Sequence, residues 1–323
     1  MTHADDGDAE TADKVLEGAP PPPTESILDP NDPRTTLQTR LRTVLFGLPA
    51  YFKFDNTVAG INATDLFNLN SLLGASIESE VVNALNAQRK LWDPEDEWQG
   101  YVFERQSQTF PDVRLVKKNF EKKPEIAIGI ELKGWFLMAK EGKPSFRFTT
   151  SAAACAAHDL LVVVPWYLDN VLSGRAVIAQ PYVVSAKLAA ESRNYYWQYS
   201  RNVRDAGEDR SITTPLSATP YPTKDVEIAD IPAHDPGHNF GRVARSPGLM
   251  KPWIDETNQT LVLGIRVGDW YKFFKTHTDN ADLERVSANL SMALEKSQEE
   301  KSEAKAQEVA ALIESLVRLL AES

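Results

Sequence analysis

Phe110-Pro111-Asp112-Val113, followed by Ile126-Ala127-Ile128-Gly129-Ile130-Glu131-Leu132-Lys133, decides how this chain is read, because it sets two carboxylates and a lysine on adjacent strands. Side chains alternate along a strand, so Ile126, Ile128, Ile130 and Leu132 share one face and Ala127, Gly129, Glu131 and Lys133 the other. One face is wholly aliphatic. The other runs small, small, acid, base, and the two small residues are expected to open space for a metal ion and a phosphate. Asp112 follows a proline nineteen residues before Glu131. A strand bending there toward the same place adds the second carboxylate that a hard, oxygen-seeking cation requires.

The surroundings extend the pattern. Residues 72–90 have the spacing of a helix with Ile77, Val81, Ala84 and Leu85 on one face and Glu78 at its border, which makes Glu78 the candidate for a further acid. After Lys133, a turn over 140–144 and the run Ser145-Phe146-Arg147-Phe148 predict a hairpin continuation. Ala-rich Ser151 to His158 predicts a crossover helix. Leu160–Val164 and Ala176–Ala179, extended through Tyr182-Val183-Val184, predict central strands of a mixed sheet buried on both faces. The helix predicted over Ala186–Arg201 carries Lys187 and Arg193, candidates for DNA phosphate contact, together with Leu188, Tyr195, Tyr196 and Tyr199, which suit a face covering the sheet.

Pro111-Asp112 with Glu131-Leu132-Lys133, set in the order helix, hairpin strands, helix, strand, strand, resembles the PD-(D/E)xK nuclease superfamily. Ile-Glu-Leu-Lys-Gly-Trp, Asp-Leu-Leu-Val-Val-Val-Pro-Trp, Pro-Tyr-Val-Val and Ser-Arg-Asn-Tyr-Tyr-Trp look like type II restriction endonucleases of the ScaI family, over residues 70–201. The resemblance implies an α/β, restriction-endonuclease-like mixed sheet flanked by helices. It implies Asp112 and Glu131 as Mg²⁺ ligands, the Leu132 carbonyl as a further ligand, and Lys133 as the residue that orients the attacking water. It further implies site-specific cleavage of double-stranded DNA by a homodimer, with a cognate DNA methyltransferase as genetic partner. A structure-specific repair nuclease and a non-catalytic DNA-binding defence subunit are the alternatives, although the second would not need Asp112, Glu131 and Lys133 intact.

Composition sets the bounds. The 323 residues suffice for one large or two modest domains, and 42% hydrophobic content for a sizeable core. A single cysteine, Cys155, excludes an intrachain disulfide and suits a reducing cytosol, so a cytoplasmic location is expected. No apolar run approaches the roughly 18 residues of a membrane span. The first residues have neither the basic nor the apolar region of a secretory signal.

The net charge of −11 is unevenly spread. Residues 1–33 hold nine acids and one lysine, and with Pro20–Pro23 in a row they read as a disordered acidic tail. The remaining 290 residues are near neutral, with 34 bases and 37 acids, which leaves room for a local basic cleft and favours a site-specific enzyme over a general DNA coat.

Residues 34–201 form the expected nuclease core. The proline- and glycine-rich segment from 202, continuing to 278, is the expected recognition region. His234-Asp-Pro-Gly-His238 has the spacing of a metal pair on a helix, but Pro236 and Gly237 oppose a helix there. Asn239, Arg242 and Arg245 are candidates for base contacts, since Asn bonds adenine and Arg guanine in the major groove. Thr260–Val267 predicts one more strand. Residues 279–323 predict a long helix whose stripe Val309, Leu312, Ile313, Leu316 and Leu320 either folds back on the body or pairs with a copy of itself.

Overall fold

A computed structural model describes residues 15–303, except 62–64, 66, 67, 107, 108, 119–122, 140, 202–206, 224, 277–283 and 301. The chain is mixed α/β. Helices α1 (Pro33–Phe46) and α2 (Leu48–Tyr51) precede strand β1 (Thr57–Val58), and α3 (Leu69–Ala87) and α4 (Arg89–Trp92) precede β2 (Tyr101–Arg105). Next come β3 (Val113–Lys117), β4 (Glu125–Phe136), β5 (Leu160–Leu168), β6 (Gly174–Ile178) and β7 (Tyr182–Ser185). These seven strands form one sheet in the order β1-β6-β5-β4-β3-β2, with β7 also paired to β5. β4 and β5 run parallel; the other pairings within the sheet are antiparallel.

The period-two reading holds over residues 128–133, where both faces of the strand are covered. Ahead of them the register with β3 shifts between Leu115 and Val116, leaving Ala127 unpaired, so Ile126 does not share the face of Ile128. Residues 127–132 are all buried, because β4 lies mid-sheet with β3 on one edge and β5 on the other. Its aliphatic face belongs to a core that also takes Ile77, Val81, Ala84 and Leu85 of α3. Asn70, in the first turn of α3, ties that helix to the sheet. Its Oδ1 accepts the Phe136 amide at 3.2 Å and the Trp166 indole N–H at 3.1 Å.

Several expected elements differ. Ser145–Phe148 is not a strand: both edges of β4 are taken, so no place remains beside it, and Phe148 instead donates its amide to the Gly241 carbonyl at 2.8 Å. The crossover from β4 to β5 contains one 3₁₀ turn, Ala152–Ala154, in place of a helix over 151–158. The Asp159 carboxylate accounts for this: it takes the Ala156 amide at 2.8 Å, a side-chain alternative to the helical bond. Residues 176–184 make two strands, both on one edge of β5, with β6 opposite Trp166–Leu168 and β7 opposite Leu160–Val163.

Helix α5 (Ala186–Tyr195) is capped by the Ser185 hydroxyl and runs on into a π-helical turn over Tyr196–Ser200. Beyond it, β8 (Ile212–Thr213) pairs with β9 (Ile231–Pro232) at the base of a long excursion. After α6 (Lys251–Thr257), the strand expected over 260–267 is a tight hairpin, β10 (Leu261–Val262) and β11 (Ile265–Arg266). Leu263 and Gly264 at its turn both have positive φ, +50° and +83°, as a two-residue turn between twisted strands demands. Helix α7 (Val267–Thr276) follows.

The two ends of the chain also depart from expectation. Residues 15–32, read as disordered, lie along the body: Leu16 donates its amide to the Tyr199 carbonyl at 2.8 Å, Glu25 pairs with Arg42, and Asp32 caps α1. Val15, Pro22 and Pro23 line an apolar cleft with Leu188 and Tyr195 of α5 and Tyr196 of the π-helical turn, so the body supplies the apolar partners that this segment cannot find within itself. Residues 1–14 lie outside the described residues. Helical residues 284–300 fold back on the body, with Leu290 and Leu294 against the core and Glu300 paired to Arg266. The stripe from Val309 to Leu320 lies outside the described residues.

Candidate active site

The antiparallel pairing of β3 with β4 sets Val113 opposite Ile130, which brings Asp112, one residue before β3, beside Glu131. Their contacts interlock. The Asp112 amide donates to Glu131 Oε2 at 3.2 Å, and the Leu132 amide donates to Asp112 Oδ2 at 3.0 Å. The Lys133 ammonium bridges both acids, 2.6 Å from Glu131 Oε1 and 3.1 Å from Asp112 Oδ2. The three side chains marked in the sequence thus form one cluster. Leu132, the candidate carbonyl donor, is buried between them.

Glu78 reaches the edge of this cluster from α3 and is held by Arg105, at the end of β2, at 3.1 Å. Burial pushes its carboxyl up, and the negative charge of Asp112 adds to the effect, while Lys133 and Arg105 pull it back. Arg105 was not legible beforehand, since it neighbours Glu78 only through the packing of α3 on β2.

Glu131 is strongly perturbed. Burial raises its carboxyl from an ordinary 4.5 to about 7, with Asp112 adding and Lys133 opposing. Burial alone would lower the Lys133 ammonium, but the two carboxylates outweigh it and hold the group above its usual range. A buried acid strained toward neutrality beside a fixed cation marks a functional site more often than a structural one.

The space expected beside Gly129 is filled. A Cβ there would stand 2.5 Å from Pro111 Cγ and 2.8 Å from Asp159 Oδ1, so the glycine admits these two groups and not a ligand. Any ion must sit at the Asp112–Glu131 end of the strand. In kind, the donors fit a hard divalent cation: they are all oxygen, and the Lys133 ammonium already marks the position between them as one that favours positive charge. Among the described residues, no three His, Cys, Asp or Glu side chains gather closely enough to hold a metal by themselves. A cation here would therefore draw on backbone carbonyl, water and phosphate oxygens, the manner in which Mg²⁺ is usually bound. The exposed His234 and His238 flank a turn closed by Asp235.

The DNA-contact candidates differ in their surroundings. Arg193 is not a phosphate contact: it is buried, ion-paired with buried Asp230, and donates to the carbonyls of Phe148 at 2.6 Å and Thr150 at 3.0 Å. Helical period placed it correctly on α5, but only the packing of the 148–150 and 230 loops turned that face inward. Lys187 is half-buried and makes no ion pair among the described residues. Asn239 and Arg245 bond each other at 3.0 Å, and Arg242 pairs with Glu141 at 3.1 Å.

No family model matches this chain, and no curated protein or solved structure shows significant similarity to it. The fold and site define a mixed α/β protein with a half-buried acid–lysine cluster where β3 meets β4. No helix among the described residues is long and apolar enough to cross a membrane.

Proposed function

We propose that this protein is a Mg²⁺-dependent, site-specific deoxyribonuclease of the type II restriction class, cutting both strands of DNA at a short sequence. One observation carries the reading: Asp112, Glu131 and Lys133, from two strands, converge within 3.1 Å beside Glu78. The order α3, antiparallel β2-β3-β4, then β5 parallel to β4 supports it, being the order expected of a restriction-endonuclease-like core except that the crossover carries a 3₁₀ turn in place of the expected helix.

Asp112 and Glu131 would hold the metal, with the Leu132 carbonyl as a further donor. Bound there, Mg²⁺ supplies an acidified water and charge neutralisation at the phosphate. Lys133, released from the carboxylates, orients that water and stabilises charge growing on the phosphoryl oxygens. Glu78, whose carboxyl is raised by burial, would be the proton acceptor for that water. A palindromic target is most simply met by a twofold homodimer.

Digestion of plasmid DNA with Mg²⁺ followed by end sequencing tests the reading: discrete cut positions are expected, and absence of cleavage, or breaks scattered at random, would exclude it. Asp112→Ala should lower cleavage by more than about 100-fold, beyond the usual cost of removing a mere supporting group. Lys133→Ala should lose rate while keeping metal binding.

Arg242 pairs with Glu141 and Arg245 with Asn239 in the free protein, while Arg242 Nε is buried with no hydrogen-bond partner among the described residues. If Arg242 reads a base, Arg242→Ala weakens binding to the cognate duplex by about 1–3 kcal/mol more than to random duplex in a titration. Equal losses on both would make it a phosphate contact.

A further inference from the structure

One buried carboxylate beside the cluster has no part in the chemistry proposed. Asp159 immediately precedes β5 and is fully buried. Its Oδ1 accepts the Gly129 amide at 2.7 Å and the Tyr221 hydroxyl at 2.6 Å, and its Oδ2 accepts the Ala156 amide at 2.8 Å. Gly129 lies two residues before Glu131 on the same strand face, and the Pro111 ring, adjoining Asp112, enters with Asp159 the space where a Cβ at 129 would sit. Asp159 and Pro111 therefore share the space on the Cβ side of one glycine. This packing joins the Asp159 carboxylate to Pro111, the residue bonded to Asp112.

Tyr221 comes from a distant part of the chain. The excursion between β8 and β9 is fixed at its base: Thr150 bridges to Ala229, and Asp230 takes Arg193, the Asn194 amide group at 2.8 Å and the Thr214 hydroxyl at 2.6 Å. At Tyr221 the backbone turns through a positive φ of +53°, and the phenol is thereby delivered to Asp159. A non-glycine residue in that conformation costs of order 1 kcal/mol and persists only where its surroundings hold it. The Asp159 bond is the contact that holds it here.

We propose that Asp159 and Tyr221 are a positioning pair that sets Asp112 and Glu131 for cation binding and makes competence of the site depend on seating of the 212–232 excursion. This rests on the reading of Asp112 and Glu131 as metal ligands. In it, the excursion belonging to the expected recognition region reports its seating directly to the acidic cluster. Partners that orient metal ligands without touching the ion commonly affect metal affinity by about 10–100-fold.

The test is calorimetric titration of the full chain with Mn²⁺ alone, with Asp112→Asn defining the signal that belongs to this site. Tyr221→Phe removes one hydroxyl and keeps the ring, so it should fold, and circular dichroism would check that it does. We expect it to weaken Mn²⁺ binding about 10-fold. Asp159→Asn should do the same, and the double variant no more than either alone, because both break one path. A folded Tyr221→Phe protein that binds Mn²⁺ within twofold of wild type would overturn the proposal, as would losses that add in the double variant or a wild type without Asp112-dependent binding. A wild type that binds Mn²⁺ through Asp112, responds to Tyr221→Phe and yet cuts no DNA would uphold the positioning pair while removing the nuclease reading.

Discussion

Replacing Glu131 with Gln is expected to abolish cleavage and, at pH 8, to make the metal-free protein more stable. Folding raises this carboxyl from about 4.5 to about 7, so between those values the folded state holds a proton that the unfolded chain releases. The contribution of this group to stability is therefore fully present below pH 4.5 and is lost as pH rises through about 7. Glutamine has the shape of the neutral acid at every pH. Its advantage over wild type should be near zero at pH 4.5 and reach roughly 1–3 kcal/mol at pH 8 in urea unfolding. Mg²⁺ should stabilise wild type at pH 8 and leave Glu131→Gln unmoved, since only a protein that binds the ion gains from it. A variant that is less stable than wild type at pH 8 would show that Glu131 serves the fold through its ion pair with Lys133. The same titration makes metal binding weaken as pH falls through 7, because the ion must displace a proton.

The second large effect is structural. Arg193→Ala should destabilise the protein by about 3–5 kcal/mol, because it leaves Asp230 buried and unpaired and frees the carbonyls of Phe148 and Thr150. Arg193 also lies 4.8 Å from the centre of the Phe240 ring, so one side chain ties α5 to three separate stretches of loop. Chemical denaturation would measure the loss. A change below 1 kcal/mol would mean that these loops hold together without it. At equal folded fraction, DNA affinity should fall little, in contrast to the behaviour of a phosphate contact.

The sequence by itself determined what is local. Period two over residues 128–133 makes a strand with Glu131 and Lys133 on one side, although a register shift breaks the alternation at Ala127, and period 3.6 over residues 72–90 makes a helix with Ile77, Val81, Ala84 and Leu85 facing the core. Both signals survive because burial of those faces rewards the same conformation that local geometry prefers. The acid–lysine cluster was legible for the same reason: Asp112 and Glu131 stand on neighbouring antiparallel strands, and a meander brings neighbours together.

Tertiary structure alone decided which faces meet across long separations. Gly129 marks a gap in the strand, but only the crossover to β5 shows that Asp159 and Pro111 fill it. Tyr221 reaches Asp159 from sixty-two residues away, and no periodicity carries that information. Arg193 has the chemistry of a DNA contact and the location of a core anchor, since the partner that draws it inward, Asp230, lies thirty-seven residues on. Residues 15–32 carry no local signal for order, yet they lie against Tyr195 and Tyr196, whose place only the fold fixes. A chain encodes backbone preference residue by residue, but a polar side chain becomes a ligand, a latch or an anchor according to what packs against it.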